Sequence, residues 1–418
     1  MTGAPPASRY ADLSREQLAV LVPELLLVGQ LIDRAGMAWC ISEFGREEMA
    51  QIAIEEWAAA SPIYTRRMQQ ALGYAPEVAG RGDVVTIFKG LQLDIGAPPQ
   101  FMDFRYTVHD PWHGEFRLDH CGALMDVEPM GDDYVRSMCH DIEDPTFDAT
   151  AVATNPKAQV RPIHRPPRTP ADRHPHCAWT VIIDESYPGA QGIPALAINE
   201  KSQAATLELA PVDRSDDGAA DYAGPLLSDL DFAEFSRSAL ARIADEVCLQ
   251  MALLDNAFAL AVQARAASDE QALGIRRKQL TGIAGLGGYR IARALRLPRD
   301  ASGALRLLAL HPLLNPAAYV DAEVTEDAIV VRRSPAHVDD AWISLCGPEW
   351  TAALQATVRV LDPRLDVEVT AAGDDAWRLA VVTRDEPAPE AQEVAVAKFS
   401  TGTDFSFEER RSLPITPV

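Results

Sequence analysis

The first 75 residues alternate between apolar and polar positions at a spacing of three to four, which is typical of amphipathic helices. The segment SREQ (14–17) has the signature of a capping box, in which a serine and a glutamine cap a helix start. The apolar positions that follow it at helical spacing are Leu18, Leu21, Val22 and Leu25. A second helix is predicted over roughly 46–60, and Ser61-Pro62 predicts the start of a third that ends near 72–74.

The pattern changes to strict alternation after the helices, which predicts strands. FMDFRYTVHDPWHGEFRLDHC (101–121) alternates on both sides of HDPWHG, as in a β-hairpin. On this reading Leu118 and His120 share one face of the second strand, and Asp119 and Cys121 share the other.

The helical block and the strands recur in the second half of the chain. A shift of 222 residues brings Ser14-Arg15 onto Ser236-Arg237, and AYVDAEVTEDAIVV (318–331) has the same hairpin pattern around TED. We therefore predict an α+β fold in tandem duplication, a helical block followed by an antiparallel sheet, with a degenerate second copy. The predicted bounds are 12–211 for the first copy, 212–230 for the linker and 231–410 for the second copy.

Charge and length restrict the class of partner. The 418-residue chain has a formal net charge of -23, so neither nucleic acid nor an anionic membrane is expected as a partner. There is no apolar run of membrane-spanning length and no signal-peptide pattern, so we expect a cytoplasmic protein with a small-molecule substrate. The duplication indicates that one chain packs as a pseudo-twofold pair, and a homodimer is a further expectation.

Reactive side chains collect in the first copy. Seven of the nine histidines and three of the six cysteines lie between residues 109 and 177. In the alignment of the copies, Ala376 stands where the first copy has Cys177, and Lys278-Gln279 stands where it has Glu55-Glu56. We therefore expect the functional site in the first copy.

Two kinds of site fit these side chains. A divalent metal, zinc in the first place and iron as the alternative, accepts mixed thiolate and imidazole ligands. The candidate ligands are Cys121, Cys139, His140, His176 and Cys177. In the segment MCHDIEDP (138–145) we expect Cys139 to face a pocket shared with Cys121 and Cys177, and the remaining carboxylates to be turn and helix-end groups. Alternatively, Cys121 or Cys139 is a nucleophile that His164 or His176 activates. Each of these cysteines also fits the role of a buried small apolar residue.

Two further stretches are interpreted as structural. Glu48, Gln51 and Glu55 share one helix face, which is the pattern of a solvated side. The glycines of GIAGLGGYR (282–290) lie inside a helical block and follow no strand, so they indicate close helix packing rather than phosphate binding.

The order of motifs in the first copy resembles the L-2-amino-thiazoline-4-carboxylate hydrolase-like family, which is similar in turn to 4-vinyl-reductase-like ligand- and metal-binding domains. The likeness covers roughly 40–185, and its residues are Cys121, Cys139 with Asp141, Asn155-Pro156, Arg161 and Cys177. It implies hydrolytic opening of a C–N bond in a small cyclic amidine-like molecule, in a pocket between helices and sheet.

The leading hypothesis is thus a metal-assisted hydrolase of a small nitrogen-containing molecule. Metal-bound water would be the nucleophile, His164 or Asp141 would transfer the proton, and Arg161 would hold a substrate carboxylate. The alternatives are an oxidoreductase that uses the same Cys/His cluster with a redox-active metal, and a non-enzymatic sensor or carrier.

Overall fold

The computed structural model describes residues 5–80, 82–190, 192–373, 375–399 and 410–418. These residues form an α+β fold with two four-stranded antiparallel sheets. The helices of the first half are α1 Arg15–Phe44, α2 Arg46–Ala71, α3 Pro76–Ala79, α4 Val84–Leu91, α5 Gly122–Val127, α6 Asp132–Arg136, α7 Glu143–Val152, α8 Pro194–Asn199 and α9 Gln203–Thr206. Its strands are β1 Met102–Asp110, β2 His113–Cys121, β3 Ala158–His164 and β4 Cys177–Ile183.

The second half repeats this order of elements. Its helices are α10 Arg237–Gln263, α11 Asp269–Leu295, α12 Ala301–Leu310, α13 Pro335–Val338, α14 Ala352–Arg359 and α15 Gln392–Ala397. Its strands are β5 Ala322–Val324, β6 Ala328–Arg332, β7 Leu365–Ala371 and β8 Ala376–Thr383. The strand order is β1-β2-β4-β3 in one sheet and β5-β6-β8-β7 in the other, so the two sheets have one topology. The bounds of the two copies and of the linker stay predictions from the sequence.

The start of α1 agrees with the sequence prediction, and the predicted start of a third helix does not. Ser14 and Gln17 form the predicted capping box of α1, and Gly45, at a φ of +84°, separates α1 from α2. The predicted helix start at Ser61-Pro62 is wrong, because α2 continues through Pro62. The buried residues around it, including Ala59 and Ala60, keep the helix continuous despite the missing amide N–H.

The four long helices form one bundle in which the halves interpenetrate. α1 packs mainly on α11, and α2 packs mainly on α10, so the contacts between halves are more extensive than those within each half. Apolar residues of both halves belong to a common core. The glycine-rich part of α11 confirms the prediction of close packing, since a side chain at Gly282 or Gly285 would collide with α15.

The sheets correct the alignment of the two halves by one residue. The amide of Lys157 bonds to the side chain of Asn155 just as the amide of Arg364 bonds to that of Asp362, so these turns are equivalent. Ala158 pairs with Ile183 in the first sheet as Leu365 pairs with Thr383 in the second. Counted from these pairs, the residue of β8 that is equivalent to Cys177 is Trp377, not Ala376. The second half still has no thiol at this position.

Candidate functional site

The segment MCHDIEDP (138–145) is helical throughout rather than a turn. Residues 137–142 form a π-helical turn between α6 and α7, and such turns occur frequently at functional sites. The turn buries Cys139 and Ile142 while Asp141 stays exposed. Glu143 and Asp144 occupy the first turn of α7, in agreement with their expected role as helix-end groups.

A bulge at the end of β2 changes the face on which Cys121 lies. Phe104 pairs with Leu118 but Met102 pairs with Cys121, so β2 advances three residues where β1 advances two. Strict alternation had placed Cys121 on the face opposite Leu118. That prediction is wrong, because the extra residue puts Cys121 in the core with Leu118 and Cys177.

Three of the predicted site residues come together beneath this bulge. Cys121, Cys139 and Cys177 are at most 4% exposed. Burial first and then the nearby carboxyl of Glu143 raise the pKa of each thiol, to about 12 for Cys121. The thiols are therefore protonated near neutral pH, and each would have to lose its proton to act as a nucleophile.

The two histidines of the predicted ligand set lie apart from one another. His140 donates from Nε2 to the carbonyl oxygen of Pro166 at 2.6 Å. His176 packs against His120, with ring centroids 5.8 Å apart. Burial first and then Arg168 lower the pKa of His176 to about 4, so its ring is neutral near pH 7 and can both donate and accept a hydrogen bond.

The predicted proton-transfer and binding residues lie on β3 and on the π-helical turn, outside the core. Arg161 donates to both carboxylate oxygens of Asp148, at 2.9 and 2.8 Å. His164 lies at the last position of β3, and burial and then Arg173 lower its pKa. The structure therefore commits Arg161 to an ion pair, and Asp141 to an exposed position.

The described residues contain one group of three or more metal-binding side chains whose ligand atoms lie within 4.8 Å of one another. This group consists of His109, His113 and Glu115, at the β1–β2 hairpin. The five ligands predicted from sequence, three cysteines and two histidines, do not form such a group. Their assignment to a metal stays a prediction.

A cavity of about 80 Å³ lies between the helices and the sheet of the first half, beside the cysteines. Helices α1, α2 and α7, the α4–β1 loop and strand β2 supply its walls. The side chains that define its chemistry are Asp33, Trp57, Tyr64, Asp94, Glu143 and Phe147. The described residues that line it include no Lys, Arg or His. A cavity is thus present between helices and sheet, and its carboxyl groups come from Asp33, Asp94 and Glu143.

The three carboxyl groups of the cavity differ in their environments. Burial first and then Asp144 raise the pKa of Glu143, and Arg165 lowers it, so that it lies at about 8. Burial raises the pKa of Asp94 only to about 6, because the amide of Gly96 and the hydroxyl of Tyr64 donate to it at 2.7 and 2.8 Å. Burial raises the pKa of Asp33, to which Trp57 Nε1 donates at 3.4 Å.

The second half has a reduced counterpart of this cavity, of about 20 Å³. The positions matched by the helix alignment are Gln30 and Ala252, Asp33 and Asp255, Trp57 and Leu280, and Tyr64 and Gly287. Asp255 lines the smaller cavity as Asp33 lines the larger one. At these matched positions the second half keeps one acid and has no aromatic or amide side chain, while Asn315, Tyr319 and Trp342 line its smaller cavity from elsewhere.

Sequence reasoning missed the carboxyl groups. Asp94 lies in a loop without any motif, and Glu143 was assigned only to a helix end. Glu56 is fully buried on α2, and burial, Asp33 and Asp255 raise its pKa, although it sits beside the solvated row of Glu48 and Glu55. A charged residue at a core-facing helical position was the available signal for Glu56.

No protein-family model, curated protein or solved structure matches this chain significantly. The chemistry of the cavity is therefore argued from its own residues. Among the described residues, no helix has the length and apolar character needed to cross a membrane.

Proposed function

We propose that the protein hydrolyses a C–N bond of a small cyclic amidine in this cavity, with Asp94 as general base and Glu143 as general acid. The observation that carries the proposal is the separation of the pKa values of two carboxyl groups on one cavity, about 6 and about 8. Such a separation divides acid and base roles between two like groups near neutral pH.

Asp94 fits the role of the base. Its two hydrogen bonds, from Tyr64 and Gly96, stabilise the ionised form, so it is largely a carboxylate at pH 7. An ionised carboxylate in a cavity with aromatic walls accepts a proton from water as the water oxygen bonds to the amidine carbon.

Glu143 fits the role of the acid. It is largely protonated at pH 7, and its Oε2 has no hydrogen-bond partner among the described residues. Glu143 would give its proton to the ring nitrogen as the C–N bond breaks. Asp94 would then release to solvent the proton that it took from water, and Glu143 would take one up, so that both acids return to their starting states. Trp57 and Phe147 offer apolar surfaces for a planar ring.

The charge of the cavity narrows the class of substrate. A substrate carboxylate would meet Asp33, Asp94 and Glu143 without a compensating cation, since Arg161 is paired with Asp148. An amidine is a cation or a donor of hydrogen bonds, and both are complementary to carboxyl groups. The family resemblance supports C–N bond opening, whereas the cavity favours a substrate without an acidic group.

Water activation is assigned to Asp94 rather than to a metal because Asp94 lines the cavity, whereas none of the described residues that line it is a cysteine. Three protonated cysteines lie behind the cavity wall formed by Leu118, Ala123 and Met138. In this proposal the three cysteines are neutral packing residues of the wall, so they add no negative charge next to the cavity acids. The metal-assisted form of the hydrolase remains the alternative predicted from sequence.

The test compares 2-aminothiazoline with 2-amino-thiazoline-4-carboxylate as substrates, with addition of one water followed by mass spectrometry. We expect turnover of the first compound and little of the second. The rate should follow a bell-shaped pH profile with limbs near the two pKa values, about 6 and about 8.

Variants assign the two roles. Glu143→Gln and Asp94→Asn should each lower the rate by about 100-fold to 10,000-fold, and each should remove its own limb of the profile. Glu48→Gln, on the solvated face of α2 and paired with Arg265, is the control that should keep full activity. Full activity of both cavity variants would refute the proposal.

The two alternative functions give other results. Activity that disappears without oxygen would favour the metal-dependent oxidoreductase. Tight binding of 2-aminothiazoline with no product would favour the carrier or sensor. Each of these outcomes would replace hydrolysis as the function of the cavity.

A further inference from the structure

We propose that His109, His113 and Glu115 bind one divalent transition-metal ion on the outward face of the first sheet. We call this group the hairpin triad. It goes beyond the proposed hydrolysis, because it lies on the other face of the sheet from the cavity. Gly114, Phe116 and Leu118 face the core, and the intervening Glu115 faces outward.

The hairpin brings the triad together. His109 lies near the end of β1 and His113 opens β2, across the tight turn at Pro111-Trp112. The register shifts between Val108 and Asp110, which leaves His109 at an irregularity beside the opposite strand. The imidazole centroids of His109 and His113 are 4.5 Å apart.

The distances approach those of a bound ion. One ligand atom from each residue lies within 4.8 Å of the other two, and His109 Nε2 is 3.3 Å from Glu115 Oε1. Ligand atoms about 2.1 Å from a tetrahedral ion are themselves separated by about 3.4 Å. The His109–Glu115 pair already has this separation. The ligand atom of His113 lies within 4.8 Å of the other two, and a rotation of its side chain would bring it to the same separation.

The strand on the far side of β2 supports one ligand. Thr180 of β4 is the strand partner of Glu115, and its hydroxyl lies 3.2 Å from Nε2 of His113. A hydrogen bond to one ring nitrogen of a histidine orients the other nitrogen toward a metal. The contact of Nε2 with the Thr180 hydroxyl would therefore hold the His113 ring in place while Nδ1 binds the metal.

The donor set defines the ion. Two imidazoles and one carboxylate suit zinc, cobalt, nickel or ferrous iron, and a fourth position stays open to water. The triad contains none of the cysteines or histidines of the ligand set predicted from sequence. The corresponding hairpin of the second half has Thr325, Glu326 and Asp327 at its turn and no histidine. The site is thus specific to the first half.

The experiment titrates the full-length protein with Co(II) and Zn(II). Co(II) takes the same geometry as zinc and absorbs visible light, and a thiolate ligand adds an intense near-ultraviolet band. We expect one equivalent of Co(II) with visible bands and no thiolate band, and competition by one equivalent of Zn(II).

Three variants and one control test the ligands. His109→Gln, His113→Gln and Glu115→Gln should each weaken Co(II) binding by at least about 10-fold. His174→Gln changes an exposed histidine outside the triad and should bind Co(II) as the unaltered protein does. Circular dichroism of each variant reports whether the fold is retained, and we expect it to be, because the triad faces outward.

Three results would overturn the proposal. One is the absence of Co(II) binding, and another is equal affinity in the folded triad variants and the control. The third is a thiolate band at the first equivalent, which would place the ion at the cysteines instead.

Discussion

At the scale of single residues, the ionisation of the cavity acids depends on how many donors each acid has. Asp94 receives two hydrogen bonds and its pKa rises to about 6, whereas Glu143 has an unpartnered oxygen and its pKa rises to about 8. Burial is the first cause in both cases. The donors therefore decide which acid is ionised near neutral pH.

Tyr64→Phe tests this account. Loss of the hydroxyl removes one donor from the Asp94 carboxylate, and a hydrogen bond to a charged group contributes about 1.5–3 kcal/mol. We expect the acidic limb of the rate profile to move up by about one to two pH units, with the basic limb unchanged.

Tyr74→Phe is the matched control. Tyr74 is also a buried tyrosine, but its hydroxyl has no hydrogen-bond partner among the described residues. Its removal should leave both limbs in place. A Tyr64→Phe profile identical to that of the unaltered protein would contradict the assignment of Asp94 as the base.

Sequence predicted the neighbourhood of the site better than its chemistry. The MCHDIEDP segment was named as a candidate, and its Cys139 does lie near Cys121 and Cys177 in the core. Glu143, however, was interpreted as a helix-end group, because its pKa depends on burial by residues far away in the chain. The ion pair of Arg161 with Asp148 was likewise invisible, since both are common surface residues.

At the scale of elements, the shape of the site depends on close contacts and irregular turns. The π-helical turn at 137–142 inserts Cys139 into the core, and the bulge in β2 does the same for Cys121. On α1, Gly29 lets the loop after α4 lie directly against the helix. A Cβ atom at Gly29 would lie 2.4 Å from Cγ2 of Ile95, the residue after Asp94.

Gly29→Ala should therefore destabilise the protein by about 1–3 kcal/mol, because the β-branched Ile95 must move together with its loop. The free energy of unfolding from urea titration measures the effect. The same shift displaces Asp94, so we also expect a loss of activity larger than the loss of folded protein.

Gly274→Ala on α11 is the control at the same scale. Nothing lies within 4 Å of a Cβ atom there, so the alanine should stabilise the helix by about 0.5–1 kcal/mol. Equal effects of the two substitutions would contradict the steric explanation.

At the scale of the whole molecule, the two halves share one core that contains several neutral acids. The buried acids whose raised pKa values lie between about 6 and about 8 are Asp94 and Asp255 at about 6, Asp245 at about 7 and Glu143 at about 8, and burial also raises the pKa of Asp33 and Glu56. Burial is the leading cause for each. The folded state therefore holds protons that the unfolded state releases near pH 4.

The sign of the pH dependence follows from these protons. Between about pH 6.5 and pH 8.5 the folded protein binds more protons than the unfolded chain, so its stability falls as pH rises. We expect a fall of about 1–3 kcal/mol in the free energy of unfolding over this interval, from urea titrations at each pH.

Two controls make the pH prediction specific. His176 and His311 have pKa values lowered by burial to about 4, so their contribution raises the stability with increasing pH mainly below about pH 7 and opposes that of the acids only at the start of the interval. Glu143→Gln removes the acid with the highest of the four values and should flatten the curve. A stability that rises between about pH 6.5 and pH 8.5 would refute the account.

The sequence by itself determined the elements of this protein and their repetition. Helical spacing, capping residues and strand alternation are local, so α1, the β1–β2 hairpin and the second α+β set were predictable from the chain. Only the tertiary structure decided how the halves interpenetrate, which face Cys121 takes and which acids stay neutral. These features depend on contacts between residues distant in sequence, and the burial of Asp94 and Glu143 has no local signature in the chain.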